Sequence, residues 1–471
     1  MTRDSEATNG AFDIRHVGSR HDLPKERPLT IVSADSHVVA PARDYIDYLD
    51  PQYRGLATDY IEYVTLFQRS FDYFGYPWKD DVLEVVDRRG VLRAGGELGT
   101  CDPIRRLREC EAEGVVAELL HPNSPLGAVP FFSSSSMPAG PELRAAGARA
   151  HNRFLTDFCS VAPDRLIGVR LIYPWPDIDA AVGECQRAAT EGARAIYPPQ
   201  QAGVDGDVCP PLYDPSYDPL WAACQELDLS VHIHAGWGTP QLSADKLREL
   251  QDYLGEGGEP DILGKVFETF VERRPLWQFM WGGVFDRFPR LKLVFAEVHC
   301  DWVPPTLAYL DDYAQRTKAP LRMSPTEYWH RHCAVGASIM RHSDVAVRHE
   351  VGLSKLMFGT DYPHVESSFP NNLDFLRTLL DDVPEDEVRK IVGGNAITQY
   401  GLDRLKLEEV ARHCGPLPSQ VIGMGHIVDP KLVDHFQHRS GIRKSPALHE
   451  AELVAALESD SAAAGAARSR V

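Results

Sequence analysis

Short apolar segments alternate with amphipathic segments along most of this chain. The apolar segments have the length and composition of buried strands, and the segments between several of them repeat apolar residues at helical spacing. The pattern predicts strands near residues 29–37, 115–121, 166–173, 193–198, 230–235, 292–298, 333–338 and 356–360. It predicts helices near residues 141–160, 178–190, 216–227, 301–314, 341–350 and 371–381.

Strands that alternate with helices are typical of β-α-β units and a parallel sheet. Eight strands favour an α/β fold of the distorted (β/α)8 TIM-type barrel class over an open doubly wound sheet. No GxGxxG follows the first strand, and no GxxxxGK[ST] occurs in the chain, so the motifs of nucleotide-binding folds are missing. The barrel is predicted to span residues 29–402 as one domain.

A barrel of this kind needs about 250 residues, so a chain of 471 residues carries additional segments. Residues 1–28 are read as a polar tail, and residues 403–471 as a C-terminal extension whose last part, from Ser459, is predicted to be disordered. The two insertions cover about 41–100, after strand one, and 236–281, after strand five. The first is rich in aromatic residues and is read either as a substrate lid or as a packing subdomain.

Composition narrows the classes of partner. The formal net charge of −19 argues against a nucleic-acid partner, because phosphate binding needs a basic face. No apolar stretch is long enough for a transmembrane helix, and the polar tail does not resemble a signal peptide. The nine cysteines show no zinc-ribbon spacing and are typical of a reducing, cytoplasmic compartment. We expect a small-molecule substrate, no membrane or nucleic-acid partner, and a homodimer, in which the C-terminal extension could wrap a neighbouring subunit.

Candidate metal ligands follow several predicted strands. Asp35 and His37 end the first strand and Asp361 ends the last, and in a closed barrel these two strands are neighbours. Alternation along a strand places Asp35 and His37 on one face. Carboxylate and imidazole groups that converge on an open site suit Zn²⁺, Mn²⁺ or Fe²⁺. Further candidates at strands five and six are His232, His234, Glu297 and His299.

Each candidate also has a structural alternative. An isolated Asp-x-His arises by chance, and His232 is equally readable as a core histidine. His364, three residues after Asp361, is read either as a residue that contacts the ligands or as a loop residue, and not as a direct ligand. The joint occurrence of acid or histidine at four strand ends is much harder to obtain from packing alone.

Several motifs resemble one known family. They are Ser33-Ala-Asp-Ser-His-Val38, Phe358-Gly-Thr-Asp-Tyr-Pro-His364 and Phe285-Asp-Arg-Phe-Pro-Arg-Leu-Lys-Leu-Val-Phe-Ala-Glu297. Together with Pro163-Asp-Arg-Leu-Ile-Gly168, Asp218-Pro-Leu-Trp221 and Gly394-Asn-Ala396, they are similar to the amidohydrolase-related family, in the branch of the aminocarboxymuconate-semialdehyde decarboxylase-like enzymes. The resemblance covers about residues 29–402.

The resemblance implies a mononuclear site for one divalent metal, with zinc as the first expectation and manganese or iron as alternatives. Its ligands, carried over, are Asp35, His37, His234 and Asp361. Asp361 doubles as a catalytic group, and His299 is expected to act as acid or base in preference to Glu297.

Two reactions fit such a site. In a hydrolase, which is the first expectation, a metal-activated water attacks a small substrate, for example an aromatic or heteroaromatic one, and Asp361 takes the proton. In the alternative, a non-oxidative decarboxylase, an acid protonates a carbon of an aromatic or unsaturated acid before CO₂ departs. A third interpretation is a metal-free binding barrel without catalysis.

Overall fold

A computed structural model describes residues 26–71, 80–124, 127–132, 136–199, 209–238, 241–255, 270–423, 425–438 and 450–468. Most of the N-terminal tail and the glycine-rich run after Gly255 lie outside these residues. Among the described helices, none combines the length and the apolar character needed to cross a bilayer.

All eight predicted strands are present, and the (β/α)8 barrel prediction is confirmed. Each strand pairs in parallel with the next one along the chain, in the order β1 to β8. The strands are β1 Ile31–Val38, β2 Val115–Pro122, β3 Leu166–Leu171, β4 Ala195–Tyr197, β5 Ser230–His234, β6 Lys292–Ala296, β7 Cys333–Ser338 and β8 Leu356–Gly359. Nearly all of their residues are buried, because side chains fill the barrel and helices cover its outside.

The barrel closes between β8 and β1 through the motifs predicted to meet there. The Asp361 amide donates to the Asp35 carbonyl at 2.9 Å, and the His37 amide donates to the Tyr362 carbonyl at 2.7 Å. Residues more than 300 positions apart in sequence are therefore held together by backbone hydrogen bonds.

Helices follow most strands and cover the outside of the barrel. In chain order they are α1 Tyr45–Tyr48, α2 Ala57–Phe71, α3 Asp80–Val86, α4 Pro103–Ala112, α5 Pro141–Ser160, α6 Ile178–Thr190, α7 Asp218–Glu226, α8 Ala244–Gly255, α9 Arg274–Trp281, α10 Val284–Arg287, α11 Val303–Thr317, α12 Pro325–His332, α13 His342–Ala346, α14 Arg348–Val351, α15 Asn372–Leu380, α16 Glu385–Arg389, α17 Asn395–Gln399, α18 Arg404–Cys414, α19 Pro418–Val421, α20 Pro430–His438 and α21 Glu450–Arg468. The single helix predicted over 341–350 is two short helices, α13 and α14.

The two insertions pack on each other beside the carboxyl ends of the strands. The Tyr63 hydroxyl on α2 donates to the Leu242 carbonyl at 2.8 Å, and the Gln251 side chain on α8 donates to the Leu66 carbonyl at 2.6 Å. Tyr45 and Tyr60 are buried in an apolar cluster of their own. Part of the aromatic content of the first insertion therefore serves packing.

The end of the C-terminal extension differs from the prediction of disorder after Ser459. Residues up to 468 continue α21, which packs against α9 of the same chain. Asp460 accepts hydrogen bonds from Arg274 and, at 2.9 Å, from the Trp277 indole. Alanine-rich sequence favours a helix once one face of it packs against a partner, and here a partly buried ion pair holds the two helices together.

Candidate metal centre

The backbone just beyond the strands adopts the left-handed region at several candidate residues. Glu297, His299 and Asp361 have φ of 58°, 52° and 59°. Non-glycine residues in this region cost about 1–3 kcal/mol each and cluster at functional sites. Each turn redirects a polar side chain at the carboxyl end of a strand, where barrels of this class place their chemistry.

Asp35 lies at the centre of the candidate site and is fully buried. The Ser338 hydroxyl donates to Asp35 Oδ2 at 2.5 Å, so Oδ1 remains directed at the imidazoles of His234, His37 and His121, at 3.2, 3.6 and 3.8 Å. A side chain at Gly359 would collide with this pair, because an added Cβ would lie 2.4 Å from Ser338 Oγ and 2.9 Å from Asp35 Cβ. Glycine at the end of β8 therefore makes room for the aspartate.

His37 and His234 both present Nε2 to the site. His37 Nδ1 donates to the Pro122 carbonyl and His234 Nδ1 to the Ala235 carbonyl, each at 3.0 Å, because a carbonyl can only accept. In the neutral imidazole the lone pair is then on Nε2, the atom that binds a metal. Burial, with the neighbouring His364 next in effect, lowers the pKa of His37 to about 4 and keeps it neutral near pH 7.

Asp361 completes the predicted set. Its Oδ1 lies 3.2 Å from His37 Nε2 and 2.9 Å from His364 Nδ1. Burial alone would raise the pKa of the Asp361 carboxyl, yet His364 and His37 hold it well below its usual range. Burial likewise opposes charge on His364, but the Asp361 carboxylate outweighs it and raises the pKa of His364 to about 9. His364 thus contacts Asp361, which agrees with one of the two interpretations of His364 made from the sequence.

The structure differs from the sequence prediction at Glu297 and His299. The sequence pattern placed Glu297 and His299 on one face of a strand that runs to residue 298, but β6 ends at Ala296. Glu297 turns towards the site, with Oε2 at 3.2 Å from His234 Nε2. His299 instead pairs with the buried Asp344, its Nδ1 lying 3.0 Å from Asp344 Oδ2. Alternation fails here because both residues have left-handed backbone.

Three buried residues that the sequence analysis did not select adjoin the site. His121 ends β2, and its Nε2 lies 3.3 Å from Nδ1 of His232, whose Nε2 in turn meets the Tyr400 hydroxyl at 3.2 Å. Arg106 on α4 donates to the carbonyls of His37 and Tyr362 and pairs with Glu118 at 2.7 Å. His121 and Glu118 could have been selected from the sequence, because each is a polar residue in an otherwise apolar strand.

The donor atoms fit a single divalent ion. Asp35, His37, His234 and Glu297 each offer a ligand atom within 4.8 Å of the others, and so do His37, Glu297, Asp361 and His364. Within the described residues, His37 Nε2 and both Asp361 oxygens are buried without a hydrogen bond, although they lie 3.2 Å apart at the nearest. Buried polar atoms normally find partners. Buried nitrogen and oxygen atoms that converge without hydrogen bonds between them are suited to bind a cation.

Metal binding should stabilise the fold. At a free Mn²⁺ concentration 1,000 times the dissociation constant, we expect the free energy of unfolding to rise by about 4 kcal/mol, because the ion binds the folded chain. Urea denaturation with and without a chelator measures the difference. Asp35→Asn should lose this dependence on metal, whereas equal stabilisation of the variant would contradict the assignment.

Residues 136–402, over half of the chain, match the family model described as Amidohydrolase. The chain belongs to the amidohydrolase family. The match begins after β2 and therefore does not include Asp35 and His37. These two residues lie on β1 and reach the candidate site of this amidohydrolase because the barrel closes.

Two curated relatives are decarboxylases by name. This amidohydrolase is 23% identical over 250 residues to "Decarboxylase orsB" of Emericella nidulans, covering 49% of this chain and 68% of the relative. It is 28% identical over 266 residues to 2-amino-3-carboxymuconate-6-semialdehyde decarboxylase of Dictyostelium discoideum, covering 54% of this chain and 66% of the relative. The chain thus spans about two thirds of the length of each.

A solved structure supports the fold. The amidohydrolase chain superposes with a TM-score of 0.54 on 5-carboxyvanillate decarboxylase from Novosphingobium aromaticivorans, a crystal structure complexed with manganese and 4-hydroxy-3-methoxy-5-nitrobenzoic acid. The two chains are 20% identical, and the superposition covers 79% of this chain and 96% of the other.

Proposed function

We propose that this amidohydrolase is a metal-dependent, non-oxidative decarboxylase of a small aromatic or unsaturated acid. The observation that carries the proposal is the buried donor cluster at the barrel seam, where Asp35, His37, His234 and Asp361 meet. The names of both curated relatives favour decarboxylation over the hydrolysis that the sequence analysis placed first. The buried, converging donors count against a barrel without catalysis.

A divalent ion in this cluster would supply positive charge that holds a substrate carboxylate together with an adjacent oxygen. Asp35 and Asp361 offset part of that charge, and Ser338 fixes the orientation of Asp35. The Nδ1 hydrogen bonds of His37 and His234 hold both rings with Nε2 directed inward. The chain thus orients its ligands before the substrate arrives.

His299 is the proposed acid. Burial opposes ionisation of Asp344, but His299 and backbone amides outweigh it and lower the pKa of Asp344 to about 2. The carboxylate therefore accepts from His299 Nδ1, as well as from the Cys300 amide at 2.7 Å. Nε2 is left as the atom that exchanges a proton with the substrate, and Asp344 stabilises the charged ring.

The proposed reaction balances without an oxidant or a water molecule. Protonation of the substrate carbon forms a C–H bond, the bond from that carbon to the carboxylate then breaks, and its electron pair returns to the ring or double bond. CO₂ leaves, and the proton remains in the product. His299 regains a proton from solvent before the next turnover.

Manganese is the ion we favour within this proposal. Three carboxylates, from Asp35, Glu297 and Asp361, accompany the imidazoles of His37 and His234 in the described cluster. Oxygen-rich ligand sets suit manganese better than the sulfur- and nitrogen-rich sets typical of zinc. Two measurements distinguish manganese from zinc, the metal first expected from the sequence. They are metal analysis of the purified protein and reconstitution of the chelated protein with Mn²⁺ or Zn²⁺.

The reaction class can be tested with hydroxylated benzoates and carboxymuconate-type acids. The expected result is CO₂ release, with solvent deuterium entering at the carbon that carried the carboxylate. Entry of solvent ¹⁸O into the remaining product, without CO₂ release, would instead identify a hydrolase. His299→Gln tests the proposed acid, and this variant should release CO₂ at a rate lower by a factor of about 100 or more.

A further inference from the structure

Arg144 is a buried positive charge for which the described residues provide no counter-charge. Its side chain is 3% exposed. Nε donates to the Ala139 carbonyl at 2.9 Å, Nη2 donates to the Gln241 side-chain oxygen at 2.8 Å, and the guanidinium also interacts with the Tyr173 hydroxyl. All three partners are neutral, and within the described part of the chain no carboxylate forms an ion pair with Arg144.

The other buried arginines of the described residues differ in this respect. Arg106 pairs with Glu118 at 2.7 Å, and Arg170 pairs with Glu191 at 3.1 Å. The charges of Glu272 and Asp301 act on Arg273. A buried charge normally requires such compensation, since removing it from water is costly. Because none of the described residues compensates the charge of Arg144, its surroundings are suited to an anionic ligand.

Arg144 lies at the end of the barrel that carries the candidate metal centre. It is in the first turn of α5, the helix that follows β2, and in a β-α unit that end of the helix lies beside the carboxyl ends of the strands. Gln241 follows β5 by seven residues, and Tyr173 follows β3 by two. Metal ligands and Arg144 thus share one face of the fold.

Tyr173, whose hydroxyl interacts with the Arg144 guanidinium, belongs to a cluster of aromatic rings. Phe132, Tyr173 and Tyr197 follow or end β2, β3 and β4, and the Phe132 ring lies 6.3 Å from the ring of Tyr173 and 6.4 Å from that of Tyr197, measured between centroids. Such rings favour a planar, apolar ligand body. The Arg144 guanidinium, which interacts with Tyr173, favours a carboxylate or a phenolate on that body.

We propose that Arg144 and Tyr173 form an anion subsite that binds a second acidic group of the substrate. This inference rests on the proposed function, and it narrows the substrate class to planar acids with two anionic groups, one held at the metal centre and one at Arg144. A local positive charge has particular value here because the chain carries a net charge of −19, which disfavours dianions elsewhere on its surface.

Binding of simple dicarboxylates tests the subsite. Calorimetry on the Mn²⁺-loaded protein should show that isophthalate or terephthalate binds at least about tenfold more tightly than benzoate, since a charge-assisted pair contributes that much. Arg144→Met should remove this preference while leaving benzoate binding unchanged. Arg144→Lys, which keeps the charge without the planar fork, should be intermediate. The exposed Arg412 provides the control, and Arg412→Met should preserve the preference.

Stability distinguishes a ligand-binding role from a structural one. Without ligand, Arg144→Met should unfold at the same urea concentration as the native chain or a higher one, because an uncompensated buried charge has been removed. A destabilised variant that still prefers dicarboxylates would overturn the proposal, and so would a native chain without any preference. If CO₂ release fails while the preference holds, the proposed reaction is wrong and the subsite stands.

Discussion

Asp361→Asn is expected to weaken Mn²⁺ binding by more than about 100-fold and to reduce CO₂ release by a similar factor or more. The amide keeps the volume of the side chain but removes a negative charge, and it turns an N–H₂ towards His37 or His364. Calorimetric titration of chelated protein measures the first effect, and product formation measures the second.

The partly exposed acid Asp374 provides a matched control for this variant. It lies on α15 and pairs with Arg377 at 2.9 Å. Asp374→Asn should leave both the metal affinity and the activity unchanged. If Asp361→Asn bound Mn²⁺ as tightly as the native chain, Asp361 would not be a ligand.

Arg106→Met is expected to lower the free energy of unfolding by about 3–5 kcal/mol, the usual cost of leaving one member of a buried ion pair unpaired. Glu118 would lose its charge partner, and the carbonyls of His37 and Tyr362 would lose donors on both sides of the barrel seam. Urea denaturation of the chelated protein isolates this effect from that of the metal.

Two variants bracket the Arg106 result. Arg105→Met, on the same helix but with a side chain that is 31% exposed in its pair with Glu109, should cost less than Arg106→Met. Combining Arg106→Met with Glu118→Gln should recover part of the loss, because the unpaired charge is removed as well. A loss for Arg106→Met no larger than that for Arg105→Met would show that the pair adds nothing to the seam.

Much of the fold could be read from periodicity, because each buried strand is an apolar run that ends in a polar turn. The meeting of Asp35 with Asp361 also followed from topology, since closing a barrel makes its first and last strands neighbours. The apolar periodicity of the sequence and the closure of the barrel were therefore sufficient to predict the strands and the meeting of these two residues.

Features that depend on distant partners were out of reach. His299 meets Asp344, 45 residues later, through backbone turns that break strand alternation. Asp460 holds its helix by contacting Arg274, 186 residues away, so alanine-rich composition alone suggested disorder. The neutral environment of Arg144 depends equally on tertiary contacts, because no local motif reveals that a charge lacks a partner.

The closure of the barrel by ligand-bearing residues has a consequence for the order of events during synthesis. Asp35 and His37 leave the ribosome early, but Asp361 follows 326 residues later, which at about 5–20 residues per second amounts to roughly 15–65 s. During that interval the nascent chain contains Asp35 and His37 but not Asp361, so the set of candidate metal ligands is incomplete. If these residues bind a metal as proposed, we expect loading to be a late step in the maturation of this protein, so that the cellular metal supply acts on a nearly finished barrel.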